Sequence, residues 1–317
     1  MSWFPLKKGS SQERSIASCK EAMARLDPLQ RCSIYTKLAI DRLQGKISDV
    51  ERLFEVSHGD WNQTLHRMLF RTVGDLQNRA LYSELALRLP YAVICRERNS
   101  ILKIEALLFG TAGLLESCRE DAYTADLKRE FDYLQHKYNL HPLSASDWRI
   151  NRLRPANHPR LRLAQLAALI ARQEYVHDRI IECQSCHDVE QLFKVEASCY
   201  WSSYYNPSKS IDHSTKRLGE EKAHLIGINL VAVMQFFYGK QTGREELTQR
   251  AIELWEALPA EENRYIREWR QAGITPASAF ESQALLQLSR LHCETKRCAE
   301  CPLGRHLSRK EQAESQQ

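Results

Sequence analysis

Apolar residues recur at three- and four-residue intervals along nearly the whole chain, and this spacing restricts the fold more than any other feature. On a helix of 3.6 residues per turn it collects one apolar face, whereas on a strand it would scatter the same residues over both faces. Glycine and proline interrupt helices, and the 317 residues contain only 12 and 10 of them. The expected fold is therefore all-α, a multi-helix bundle or stacked helical array, built as one body or as two packed helical lobes. Asp27-Pro28 is a helix start, with Asp as N-cap and Pro at the first helical position. The helix behind it should bury Cys32, Tyr35, Leu38, Ala39 and Leu43. Ser48-Asp49-Val50-Glu51 has the form of a capping box. Asp60 should cap a helix carrying Trp61, Leu65, Met68 and Leu69.

The pattern breaks at Leu140-His141-Pro142-Leu143 and again at Arg152-Leu153-Arg154-Pro155-Ala156-Asn157-His158-Pro159. A boundary here would separate an N-terminal lobe, 12–140, from a C-terminal lobe, 141–306, that ends in an irregular Cys-rich loop. Residues 1–11 read as a disordered leader and 307–317 as a disordered polar tail. The longest apolar run, Leu225 to Phe237, is about a third short of the ~20 residues a bilayer needs. Asn229 and Gln235 interrupt it and read as buried polar groups satisfied by nearby backbone. The N-terminal residues lack the apolar stretch of a secretory signal. The ten cysteines are then expected to stay reduced in a cytoplasmic protein.

Three of those cysteines cluster near the end in the order Cys293-x4-Cys298-x2-Cys301-x4-His306. Two intervening residues let a C-x-x-C loop curl around one ion, and Pro302 and Gly304 suit the tight turn that follows. Three thiolates and the His306 imidazole would make a structural zinc site. The lesser alternative is an iron–sulfur cluster, because Cys293 to Leu303 resembles the cluster loop of helix-hairpin-helix DNA glycosylases. That loop has a longer first gap and a fourth cysteine downstream. Here the fourth thiolate must come from elsewhere, with Cys183 or Cys186 as candidates. The third alternative is three ordinary reduced cysteines. Cys183-x2-Cys186-His187 is a weaker candidate site and reads more simply as a surface pair at a helix end.

Arg149, Arg152, Arg154, Arg160 and Arg162 crowd one stretch together with His158. An Arg-rich segment entering a helix N-terminus, with Asn157 as cap, can hold an anion such as a nucleic-acid phosphate. The competing reading is internal, with the arginines tying a long linker to neighbouring helices. Tyr200, Trp201, Tyr204 and Tyr205 could stack exposed bases, but their helical spacing favours the core. The net charge of +5 permits contact with DNA or RNA without requiring it. No phosphate-binding glycine loop, nucleophile elbow or His-Glu-x-x-His is present, so the reading leans away from an enzyme.

Several segments together resemble a bacterial family of unknown function, DUF2851. They are Gly59-Asp60-Trp61, Leu107-Leu108-Phe109-Gly110 with Ala112-Gly113-Leu114-Leu115, Arg152 to Pro159, and Arg162-Leu163-Ala164-Gln165. They continue with Val195-Glu196-Ala197-Ser198, Tyr200-Trp201, Tyr238-Gly239-Lys240, Ser282-Gln283-Ala284-Leu285, and Lys296-Arg297-Cys298 with Cys301. The resemblance runs from about residue 12 to 305. It implies a companion N-terminal segment with GPDF-type and GNVEIH-type motifs, similar to a metal-dependent nuclease core, and neither motif occurs here. The chain thus reads as the helical remainder of the family. Its first expected role is a nucleic-acid-associated accessory module stabilised by a C-terminal metal. The alternative is a protein-interaction scaffold, its partner a nuclease-like domain supplied in trans. An enzyme with an unrecognised helical site ranks last.

Overall fold

Asp27 does start a helix, its carboxylate accepting the Gln30 N–H at 2.9 Å. The computed structural model describes residues 16–150, 153–206 and 216–314. Among them the chain is all-α, and the one extended pairing is an isolated antiparallel bridge between Glu196 and Arg217. No described helix is long and apolar enough to cross a membrane. The expected leader, 1–11, lies outside the described residues. Two compact units form. One joins residues up to Lys46 to those from Trp255 onward, and the other is Ile47–Leu254. The division therefore does not fall at 140–156.

The Pro28–Val56 helix runs straight through the anticipated capping box at Ser48–Glu51. An N-cap needs extended backbone. Here Leu43, Ile47 and Val50 continue the apolar stripe into the interior, and their burial favours helix over a local stop. Tyr35, Leu38, Ala39 and Leu43 are buried as expected, but Cys32 stands exposed in the first turns, ahead of the packed stripe. Asp60 caps the Trp61–Val73 helix, accepting N–H bonds from Asn62 and Gln63.

The middle unit, 47–254, is organised around the Ile101–Thr111 helix. Its residues Ile104 to Thr111 are all buried, against the Ala122–Tyr138 and Pro159–Arg172 helices. Gly110 permits this approach, because a Cβ there would sit 2.1 Å from the Phe131 ring. Gly113 turns the chain at φ +69, with the Leu143 carbonyl 2.0 Å from where its Cβ would stand. Leu143 N–H donates to the Thr111 carbonyl at 2.8 Å, and the Trp148 indole to that of Ala112 at 2.8 Å. These bonds lock residues 140–150 onto the central helix, so the proline-rich break is a docked strap inside one unit.

The apolar run from Leu225 forms one continuous rod, helical over Glu220–Ile226, π-helical over Gly227–Val231 and α-helical again over Ala232–Thr242. Asn229 donates to the Leu225 carbonyl. Gln235 is wholly buried and donates to the carbonyls of Ile180, Ile181 and Cys183 at 3.0, 3.3 and 2.6 Å. It thereby helps to cap the end of the Val176–Glu182 helix, together with Arg250, which also donates to the Ile181 carbonyl. At the C-terminal end the expected disordered tail is helix instead: Pro302–Glu314 includes residues 307–314.

Candidate functional site

The cysteine loop follows the Ala279–Gln287 helix, which continues as a π-helical segment over Leu288–Cys293. Lys296 then adopts φ 54. Its N–H donates to the Cys293 carbonyl, and the Arg297 N–H to that of His292. This left-handed stop turns the chain back on itself and brings Cys298 and Cys301 towards Cys293. Cys301 stands at the start of the Pro302–Glu314 helix, where burial raises its thiol against the opposing pull of the Gly304 and Leu303 backbone N–H groups. Gly304 must be glycine here, because a Cβ would lie 2.4 Å from the Cys298 carbonyl oxygen.

Burial pushes the Cys293 thiol up to about 12, and the neighbouring Cys301, Cys19 and Cys298 thiols add to the rise. Cys19, on the Ile16–Arg25 helix, is one of the thiols that act on Cys293. That helix also packs against Pro302–Glu314. His306 fits the set less well. It lies five residues beyond Cys301, which on a helix is about 140° around the axis. Leu291, within the π-helical segment, is 40% exposed.

The arginine segment has a different character. Arg152 lies outside the described residues, and Arg154 is exposed. His158, Arg160 and Arg162 are buried. The Arg160 guanidinium donates to the Ser117 carbonyl at 2.8 Å. Arg162 donates to Gln165 Oε1 and Asn157 Oδ1, both at 3.0 Å. His158 packs edge-on against Tyr205, with ring centroids 5.3 Å apart. Asn157 does not cap the following helix. His158 occupies that position and Pro159 follows it, leaving the Asn157 side chain for Arg162. Nearby, Lys222 Nζ donates to the carbonyls of Thr72 and Gly74. Burial, with the charge of Arg162 adding to it, pushes Lys222 down to about 7. These cations serve the interior and do not face a polymer in solution.

The aromatic run is likewise core. Trp201 stacks on Phe109 with centroids 3.9 Å apart and donates to Glu105 Oε2 at 2.7 Å. Tyr123 donates to the same oxygen. Burial holds the Glu105 carboxyl above its ordinary range, against those two hydrogen bonds.

A third cluster was not visible in the sequence. Cys186, Glu190 and His224 bring their ligand atoms within 4.8 Å of one another. His224 Nε2 lies 2.7 Å from Glu190 Oε1, and the Cys186 thiol donates to that oxygen at 3.4 Å. The trio has the composition of an open divalent-metal site. Cys186 and Glu190 are four apart on one helix face, a signal readable in sequence, but His224 arrives from another helix. Cys183, the partner that C-x-x-C spacing offered, is buried and turned to the Arg179 carbonyl at 3.2 Å. The surface-pair reading therefore fails for it.

A profile of the family described as "Protein of unknown function (DUF2851)" matches residues 6–264. The chain belongs to this family. No curated protein matches it, and no solved structure does. Several of the segments that carry the resemblance in this DUF2851 member form the interior of the middle unit, among them Leu107 to Phe109, Arg162 to Gln165, and Trp201. The match ends before Ser282 and before the cysteine loop, so the loop stands on its own chemistry.

Proposed function

We propose that this DUF2851 member is a nucleic-acid-associated accessory module of the cytoplasm that meets phosphate backbone with its terminal unit. The distribution of charge carries this reading. Residues 1–46 and 255–317 hold 18 Lys and Arg against 13 Asp and Glu, whereas 47–254 hold 27 of each. The whole net charge of +5 therefore belongs to the terminal unit. Arg290, Arg305, Arg309 and Lys310, which flank the cysteine loop in sequence, are exposed. An exposed basic face attracts a polyanion and releases its counterions, so affinity falls steeply with salt. The test is binding to labelled duplex DNA and single-stranded RNA across a salt series. Arg290→Gln, Arg305→Gln and Arg309→Gln together should weaken binding and reduce the salt slope by about three. Salt-insensitive or absent binding by the unaltered chain would remove the proposal.

A second reading is favoured by the internal use of Arg160 and Arg162 and by the neutral middle unit. It is a protein-interaction scaffold whose partner is a nuclease-like domain. It predicts co-purification of that partner and no salt-sensitive contact with nucleic acid.

A further inference from the structure

We propose that Cys186, Glu190 and His224 bind a zinc ion, with the fourth tetrahedral position taken by water. All three residues belong to the 47–254 unit. The inference is therefore separate from the cysteine loop and from any contact of the terminal unit with nucleic acid.

The three ligand atoms lie within 4.8 Å of one another. Cys186 Sγ is 3.5 Å from His224 Nε2 and 3.4 Å from Glu190 Oε1, and that nitrogen and oxygen are 2.7 Å apart. Zinc at its usual bond lengths and the tetrahedral angle would hold sulfur ~3.6 Å from each of the other two atoms and nitrogen ~3.4 Å from oxygen. Two of the three separations already match. The third opens by roughly 0.7 Å when the ion replaces the hydrogen bond between Glu190 and His224.

The orientation sets this trio apart from a nucleophilic triad. There the nucleophile and the carboxylate take opposite nitrogens of the imidazole. Cys186 and Glu190 instead both face Nε2 of His224. One ring nitrogen offers a single hydrogen or a single lone pair, whereas a metal ion engages all three atoms together.

The donor set selects the metal. Thiolate and imidazole suit zinc, whereas magnesium and calcium take oxygen. With thiolate and carboxylate ionised and the imidazole neutral, the ligand charge balances a divalent cation. Loading sends to solvent the proton that the Cys186 thiol directs at Glu190. Among the described residues no further His, Cys, Asp or Glu joins the group, and its members are each only partly buried. Water can therefore reach the ion and complete its shell.

The fold holds the ligands in place. Cys186 and Glu190 are four residues apart on the Cys186–Leu192 helix, and so share a face. The Ser185–Asp188 capping box fixes the first turn of that helix. His224 comes from the Glu220–Ile226 helix, which packs against it. The π-helical segment begins three residues further on, at Gly227, and such segments often accompany functional sites.

The test is zinc titration of the chelator-treated full chain, read by elemental analysis after gel filtration, beside Cys186→Ala, Glu190→Gln and His224→Gln. Each variant should hold about one zinc per chain fewer than the unaltered protein, whatever the cysteine loop carries. In the unaltered chain, zinc should slow alkylation of Cys186 at least ~10-fold, because a metal-bound thiolate is a poor nucleophile, and a chelator should restore it. Exposed Cys199, read in the same peptide mass spectra, should not respond. The alkylation result decides the matter if a variant does not fold. Zinc content unchanged in all three variants, or alkylation of Cys186 indifferent to zinc, would overturn the site. Normal loading of Glu190→Gln alone would overturn the three-residue ligand set.

Discussion

The arginine segment and the cysteine loop both present ligand-type residues at close spacing, yet they use them in opposite ways. Arg160 and Arg162 turn their terminal guanidinium nitrogens to Ser117, Asn157 and Gln165 of the same unit, while their Nε atoms stay buried without a partner. In the loop, Cys293 is instead a buried thiol on which the Cys301, Cys19 and Cys298 thiols act electrostatically. Crowded chemistry in a sequence therefore marks a ligand site only where the fold leaves that chemistry without protein partners of its own. Guanidinium groups find carbonyl and amide oxygens anywhere in a helical interior. Thiols find few good partners there, so a buried thiol set among others needs another explanation.

The comparison can be broken most directly at Arg162. If its role is internal, Arg162→Ala should cost about 3 kcal/mol in urea unfolding, because it leaves Gln165 Oε1 and Asn157 Oδ1 without their donor. A variant as stable as the parent would return Arg162 to the list of ligand-binding residues. The middle unit's other interior polar groups can be tested through pH. His66 is buried with Nε2 2.8 Å from the Leu89 carbonyl, and burial pushes it down to about 4. Its native state stays neutral while the unfolded chain takes up a proton. Stability should therefore fall by about 3 kcal/mol as pH drops from the ordinary histidine value towards 4. His66→Phe should flatten that part of the profile.

On the loop side, Gly304→Ala should destabilise the terminal unit by about 2 kcal/mol through overpacking against the Cys298 carbonyl. It should also lower metal content, measured by elemental analysis. Normal metal content would show that the turn does not place the ligands. Smallest of all, exposed Arg154→Ala should change stability by less than about 0.5 kcal/mol.

How much could be read in advance followed the range of the interactions. The all-α fold and the Asp27 and Asp60 caps rest on contacts within a few residues, and periodicity places Trp201 on a buried face although its partners, Phe109 and Glu105, lie far off in the chain. The terminal unit is not legible in this way. Nothing in the spacing of Cys293, Cys298 and Cys301 points to Cys19, some 270 residues earlier in the chain. Glu190 and His224 pose the same difficulty on a smaller scale. The strap at 140–150 looked like a boundary because prolines and turns mark both linkers and docked loops. Only the bonds from Leu143 and Trp148 to the central helix distinguish the two.

The terminal unit is built from two segments far apart in the chain, residues up to Lys46 and residues from Trp255 onward. During synthesis the first segment leaves the ribosome long before its complement exists. The apolar face of Pro28–Val56 must wait, exposed or chaperoned, while the middle unit is made. A premature stop anywhere before Trp255 would strand that face permanently. Nonsense and C-terminal truncation should therefore produce aggregation or degradation of the whole chain and not a shortened, working one.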